Sequence, residues 1–137
     1  MNKKLKIKNN DSSLLPSEWV KNNLPISNSN LNLLDLASGN GRHSIYAASI
    51  GYRVISVDIN KNILSEMQNN EFIIPIQLDL EKNNIWPLQD DKFDVVIVTN
   101  YLYRPIFKNI IKSMKSDGKL IYETFTEENS AFGKPNN

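Results

Sequence analysis

The sequence predicts an α/β fold: a doubly wound, mostly parallel sheet with helices on both faces and strand order 3-2-1-4-5. Three observations predict it. Short apolar runs alternate with helical patterns from Leu31 onward, the mark of βαβ units. The first run, Leu33-Leu34-Asp35-Leu36, feeds a glycine loop, Ala37-Ser38-Gly39-Asn40-Gly41, that opens a helix. A second run, Val54-Ile55-Ser56-Val57, ends in Asp58, seventeen residues past Gly41. That is about where such a sheet places an acid that grips a ribose. Right-handed crossovers let the sheet grow outward both ways from its first strand. The order then reverses between strands 1 and 4, and the crevice lies at their carboxyl ends.

Residues 1–12 are polar and basic and read as a disordered tail, which leaves 13–137 as the domain. Pro16-Ser17-Glu18-Trp19-Val20 opens a short helix that ends before Pro25. Leu31 to Leu36 is apolar enough for a strand buried on both faces. His43 to Ile50 reads as a helix closed by Gly51. Arg53 to Val57 is the second strand. Asn60 caps a helix presenting Ile63, Leu64 and Met67 on one face. Glu71 to Gln77 is a third strand, and Pro75 puts it at an edge. Asp79 to Asp91 is a loop, with Trp86-Pro87-Leu88 as a buried anchor and Asp90 and Asp91 in a solvated turn. Phe93 to Val98 is the fourth strand. Pro105 starts a helix with the stripe Ile106, Phe107, Ile110, Ile111 and Met114. Asp117-Gly118 turns into a fifth strand, Lys119 to Phe125.

Composition narrows the function. The chain has 137 residues, enough for one domain. With 16 basic and 15 acidic residues the formal charge is +1, and nothing calls for nucleic acid or membrane lipid as a partner. No apolar stretch approaches the roughly 20 residues that span a bilayer. The basic start lacks an apolar signal core, so a cytoplasmic location is expected. There is no cysteine and a single histidine. Thiolate chemistry, disulfides and a multi-histidine metal site are therefore excluded, and no metal is expected.

The glycine loop discriminates among ligands. A triphosphate site needs Gly-Lys-Ser/Thr, which is absent. A dinucleotide site needs G-x-G-x-x-G, and Ser44 stands where the third glycine should be. Asp35 also sits where a pyrophosphate would approach, and two negative groups there repel. A cationic amino-acid moiety suits that carboxylate, directly or through a water. S-adenosylmethionine carries such a moiety and a sulfonium but no phosphate, so Asp35 tilts the reading toward it as cofactor.

The chain resembles class I S-adenosylmethionine-dependent methyltransferases, near the small tellurite-resistance-like group, from about Trp19 to Pro135. Four ordered segments carry the resemblance: Asp35 to Gly41, Val57-Asp58, Leu78-Asp79-Leu80 and Phe93 to Tyr101. The resemblance implies a Rossmann-like methyltransferase fold. It implies that Ala37, Gly39 and Gly41 approach the ligand and that Asp58, with Ile59 beside it, takes the ribose hydroxyls. Asp79 accepts from the adenine amino group and Leu80 flanks the ring. Asn100 and Tyr101 line the methionine side, and Arg42 is a candidate for the methionine carboxylate. His43 is either a neutral acceptor near substrate or a structural hydrogen-bond partner. Tyr103, Arg104 and Glu123 are weaker substrate candidates.

Two departures stand out. Ala37 replaces the family's first glycine, a mild change if its φ stays negative. The chain also stops about twelve residues after strand five, so the family's C-terminal antiparallel hairpin is expected to be lacking. Strand five would then be a bare edge open to a second copy or a complementing chain. The expected function is methyl transfer from S-adenosylmethionine to an unidentified small-molecule acceptor, with no residue marked as catalytic. The alternative is a catalytically incomplete binding or interaction module. A nicotinamide-dependent oxidoreductase is a distant third reading.

Overall fold

The computed structural model describes residues 15–82, 88–101 and 103–124. The strands are β1 (Asn32–Leu36), β2 (Arg53–Asp58), β3 (Ile73–Gln77), β4 (Phe93–Thr99) and β5 (Met114–Glu123). Between and before them lie α1 (Glu18–Asn23), α2 (Arg42–Ser49), the short α3 (Lys61–Leu64) and α4 (Phe107–Ser113). Single 3₁₀ turns extend α3 over Ser65–Met67 and precede α4 over Arg104–Ile106.

The sheet order is β3-β2-β1-β4-β5 and every pairing is parallel. This is the doubly wound order the sequence predicts. Alternation along the central strands splits the core in two. Leu33, Val54 and Ile97 turn to one face, where Val20 and Leu24 of the α1 region, Ala47 of α2 and Met67 cover them. Leu34, Leu36, Val57, Val96 and Val98 turn to the other, under Ile106 and Ile110. Each such side chain contributes about 1.5–3 kcal/mol when fully buried. The same period of two carries Asp35 to the α2 face, alongside Leu33.

Local chemistry sets the boundaries. Ser17 caps α1, its hydroxyl accepting from the Val20 amide at 3.1 Å. Gly51, at φ 108, ends α2 and swings the chain into β2. Asn60 Oδ1 accepts from the Asn62 amide at 2.9 Å, as expected of a cap for α3. Pro75 lies in β3 at the sheet edge, where its missing N–H costs no ladder bond.

Three expectations need correction. The stripe of α4 is only half buried: Ile106 and Ile110 are inside, but Phe107 and Ile111 are exposed. A seven-residue helix packed on one face of the sheet has one narrow side to bury. Strand five begins at Met114, not Lys119, and Asp117-Gly118 lies inside it. A register shift between Phe93 and Val95 absorbs those extra residues as a bulge. The helix after Asn60 is one turn of α and one of 3₁₀ rather than one amphipathic helix. The N-terminal tail, Trp86, Pro87 and the chain beyond Thr124 lie outside the described residues.

Candidate functional site

The carboxyl ends of β1, β2, β3 and β4 surround a cleft of about 380 Å³. Ala37, Asp58 and Ile59 form one wall; Leu78, Asp79, Leu80 and Glu81 form another; Tyr101 closes the third. Three of these lining residues are acidic and none is basic.

The glycine loop follows β1 directly. Ser38 is anchored to β2, its amide donating to the Val57 carbonyl at 2.9 Å. Gly39 and Gly41 take φ of 59° and 82°, which lets the loop reverse and start α2. The Gly39 amide donates to Asp58 Oδ2 at 2.8 Å, so the loop and the β2 acid are built as one unit. Asp58 Oδ1 accepts from the Asn60 amide at 2.9 Å. The carboxylate is thus fixed in orientation at the rim of the cleft.

Asp79 Oδ1 accepts from the Glu81 amide at 3.0 Å, which turns the chain at Asp79-Leu80-Glu81 along the cleft wall. Across the opening, Tyr101 Oη donates to Glu81 Oε2 at 2.8 Å. Tyr101 is held from behind as well, since Tyr122 Oη donates to its carbonyl at 2.8 Å. Burial and the Glu81 carboxylate push the Tyr101 phenol up from its ordinary range, so it stays a donor. Asn100, at φ 54°, makes the turn that sends the chain from β4 to Tyr101.

Of the residues singled out in the sequence, Ala37, Asp58, Ile59, Asp79, Leu80 and Tyr101 line one cleft. Gly39 joins it through Asp58, and Asn100 stands exposed beside it. Asp35 and Arg42 do not line it. Arg42 Nη1 donates outward to the Leu15 carbonyl at 3.2 Å. Asp35 is wholly buried, and its Oδ2 accepts from Ser44 Oγ at 2.6 Å. Its Oδ1 and the Ser38 hydroxyl are buried and have no hydrogen-bond partner among the described residues. Burial is the main force pushing the Asp35 carboxyl up to about 7, opposed by the Ser44 hydrogen bond.

Ala37 is a correction. Its φ is 55°, so the missing glycine leaves real strain in the loop. His43 is held by structural bonds. Its Nε2 accepts from the Ser17 amide at 3.1 Å, which puts the proton on Nδ1, 3.5 Å from Thr99 Oγ1. Burial holds this imidazole down at about 4, with Arg42 adding to the effect. Ser17 Oγ in turn donates to Glu123 Oε1 at 2.7 Å, so α1 is pinned to the ends of β4 and β5. Glu81 was not singled out in the sequence. Its position two residues past Asp79 is the signal that could have found it, because an Asx turn brings that residue back.

A cleft at the carboxyl ends of the strands is where doubly wound parallel sheets hold their ligands, and it places this chain in the class of open α/β proteins. Residues 27–134 match the family described as "Methyltransferase domain", and the chain belongs to that family. It is 27% identical over 120 residues to "Putative methyltransferase YqeM" of Bacillus subtilis, covering 78% of this chain and 46% of that protein. The crystal structure of an S-adenosylmethionine dependent methyltransferase from Mesorhizobium loti superposes with a TM-score of 0.65 at 20% identity, over 75% of this chain and 49% of that one. A TehB-like SAM-dependent methyltransferase from Corynebacterium glutamicum does so with a TM-score of 0.65 at 18% identity, over 85% of this chain and 67% of that one. The chain spans about half the length of the first two of these relatives. No helix among the described residues is long and apolar enough to cross a membrane.

Proposed function

We propose that the chain binds S-adenosylmethionine in this cleft and presents it for methyl transfer to a small-molecule acceptor. The observation that carries the reading is the lining: three carboxylates, apolar Ile59, Leu78 and Leu80, and no cation among the described residues. A diphosphate is repelled there, while a phosphate-free, positively charged nucleoside is attracted. The two buried atoms with no partner among the described residues, Asp35 Oδ1 and Ser38 Oγ, fit the same ligand. Each is an acceptor suited to an ammonium or a hydroxyl.

In this reading Asp58 holds the ribose, because its carboxylate is already oriented by Gly39 and Asn60. Asp79 and Leu80 hold the adenine edge and face. Gly39 and Gly41 let the backbone come close to the amino-acid part, and Asn100 and Tyr101 face the methyl side. S-adenosylmethionine, when bound, supplies a methyl group already activated by its sulfonium charge. The residues therefore contribute alignment and exclusion of water, and alignment alone is a large effect. His43 is not offered as a base, since its lone pair is taken by the Ser17 amide.

Binding is tested by thermal shift and titration calorimetry with S-adenosylhomocysteine. Ligand at a thousand times Kd stabilises a folded protein by about 4 kcal/mol. Asp58→Ala removes the acceptor of the Gly39 amide as well as the ribose contact, and Kd is expected to weaken at least about 100-fold, a loss of about 3 kcal/mol. Absence of any shift in the unaltered chain, or an unchanged Kd in the variant, rejects the reading. Transfer of a labelled methyl group to a small-molecule pool tests the activity.

A further inference from the structure

Beneath the glycine loop lies a chain of buried hydroxyls that the proposed binding does not use. Ser44 Oγ is 2.6 Å from Asp35 Oδ2 and 2.8 Å from Ser56 Oγ. Ser56 Oγ is 3.4 Å from Met67 Sδ. The four side chains come from β1, α2, β2 and the turn after α3, and all are buried. Met67 carries the chain back to the loop. A Cβ placed on Gly41 would lie 2.4 Å from Met67 Sδ and 2.9 Å from its Cε, so the thioether is packed hard under that glycine.

A serine hydroxyl has one proton to give, so the direction of the chain is set at its ends. When Asp35 is protonated on Oδ2 it donates to Ser44, Ser44 to Ser56, and Ser56 to the Met67 sulfur, so each hydroxyl and the sulfur has a donor. When Asp35 is ionised, Ser44 must donate to it. Ser56 and Ser44 then face each other at 2.8 Å, and Ser56 must turn its proton to Ser44 or leave two lone pairs opposed. The Met67 sulfur loses its donor in that state.

We propose that Ser44, Ser56 and Met67 are positioning residues that tie the glycine loop to the proton on Asp35, and that a cationic nucleoside bound at the loop drives this proton off. The inference rests on the reading of the loop as an S-adenosylmethionine site. The proton leaves to solvent, and no other bond is made or broken. Burial, with the Asp35 carboxyl pushed up to about 7, makes the protonated form the common one below neutrality. The charged groups acting on it are Asp58 of β2, which favours the proton, and Arg42 of α2, which opposes it. β4 places uncharged Ile97 beside it.

Titration calorimetry of the full chain with S-adenosylmethionine, at pH 6.5 in phosphate and in imidazole, reads the released proton as a difference in heat between buffers. The unaltered chain is expected to release most of one proton. Its Kd is expected to weaken about tenfold from pH 8 to pH 6, as a carboxyl titrating near 7 requires. Ser56→Ala leaves the protonated chain without its next acceptor, so both the proton count and the tenfold drop shrink. Met67→Leu keeps the volume and shifts both in the same direction, by less. Asp35→Asn releases no proton; if it does not fold, the Ser56 and Met67 variants carry the test. Binding without buffer dependence overturns the proton release. An unchanged proton count in Ser56→Ala overturns the relay. No heat and no thermal shift in the unaltered chain overturns the cofactor reading beneath both.

Discussion

The two ends of the sheet carry cavities of similar size and opposite chemistry. The carboxyl-end cleft, about 380 Å³, is lined by Asp58, Asp79 and Glu81, with no cation among the described residues. The amino-end cavity, about 340 Å³, sets Arg53 and Lys92 against a single acid, Glu71. Both ends also need left-handed backbone, and they obtain it differently. At the amino end it falls on Asn30, Gly51 and Asp91, residue types that adopt it cheaply. At the carboxyl end it falls on Gly39, Gly41 and Asn100, but also on Ala37. The amino end places its left-handed backbone on residues that bear it without strain, whereas the carboxyl end carries strain at Ala37, beside the cleft.

Glycine substitutions break this comparison most forcefully. A Cβ on Gly51 would lie 2.1 Å from the Ser27 carbonyl oxygen, a backbone atom that cannot step aside, at a φ of 108°. Gly51→Ala is expected to destabilise by about 3–4 kcal/mol, combining overpacking with backbone strain. Gly41→Ala meets the movable Met67 thioether at 2.4 Å and should cost about 2–3 kcal/mol. Gly39→Ala meets nothing within 4 Å and should cost only about 1 kcal/mol, from its backbone. Chemical denaturation ranks the three. The ends separate in a second measurement. Folded Gly51→Ala should bind S-adenosylhomocysteine normally, and Gly41→Ala should not. Equal affinity losses in both would mean that the ends are not independent.

The contrast also marks what the sequence could reveal. The strand order was legible because βαβ alternation and right-handed crossovers leave few topologies, and the Asp35-to-Gly41 segment fixed where the chain reverses. Asp58, Asp79 and Tyr101 were legible as neighbours because each follows an apolar run. The fate of Asp35 was not legible. Its place at the end of a buried strand suggested a carboxylate facing the ligand. The period of two turns it to the α2 face beneath the loop, where Oδ2 meets Ser44 and Oδ1 has no partner among the described residues, and only the spacing to Ser44 on α2 and Ser56 on β2 hints at that division. The exposed Phe107 and Ile111 were misread for a related reason: a helical stripe shows periodicity but not how much surface its neighbours offer.

Acid should expose the second difference, between Asp35 and His43. His43 is held down at about 4, so the unfolded chain takes up its proton first, and the stability this contributes is lost as pH falls from about 6.5 toward 4. Asp35 is pushed up to about 7, so the folded chain binds the extra proton, and its contribution is present at low pH and lost as pH rises through 7. Between about pH 4.5 and 6.5 the two oppose each other. The melting temperature without ligand should therefore change little from these groups across that window. Asp35→Asn leaves His43 unopposed, and its melting temperature should climb by several degrees from pH 4.5 to 6.5. A flat profile in that variant would show that His43 does not stay neutral on folding.

The smallest effect expected is the most diagnostic of strain. Alanine at a φ of 55° costs about 1–2 kcal/mol relative to a relaxed backbone. Glycine removes that cost but frees the unfolded chain, which returns about 0.4–1 kcal/mol. Ala37→Gly should therefore stabilise by about 0.5–1 kcal/mol, roughly 2–3 °C for a domain of this size. Few substitutions of a methyl by hydrogen inside a folded protein are expected to stabilise it, so the sign alone is informative. Ala37 also lines the cleft, so its methyl group has a second role open to it. If the variant gains stability and keeps its affinity for S-adenosylhomocysteine, the methyl is only a burden on the loop. If it gains stability and loses affinity, the methyl contacts the ligand, and the strain is what the loop bears to place it there.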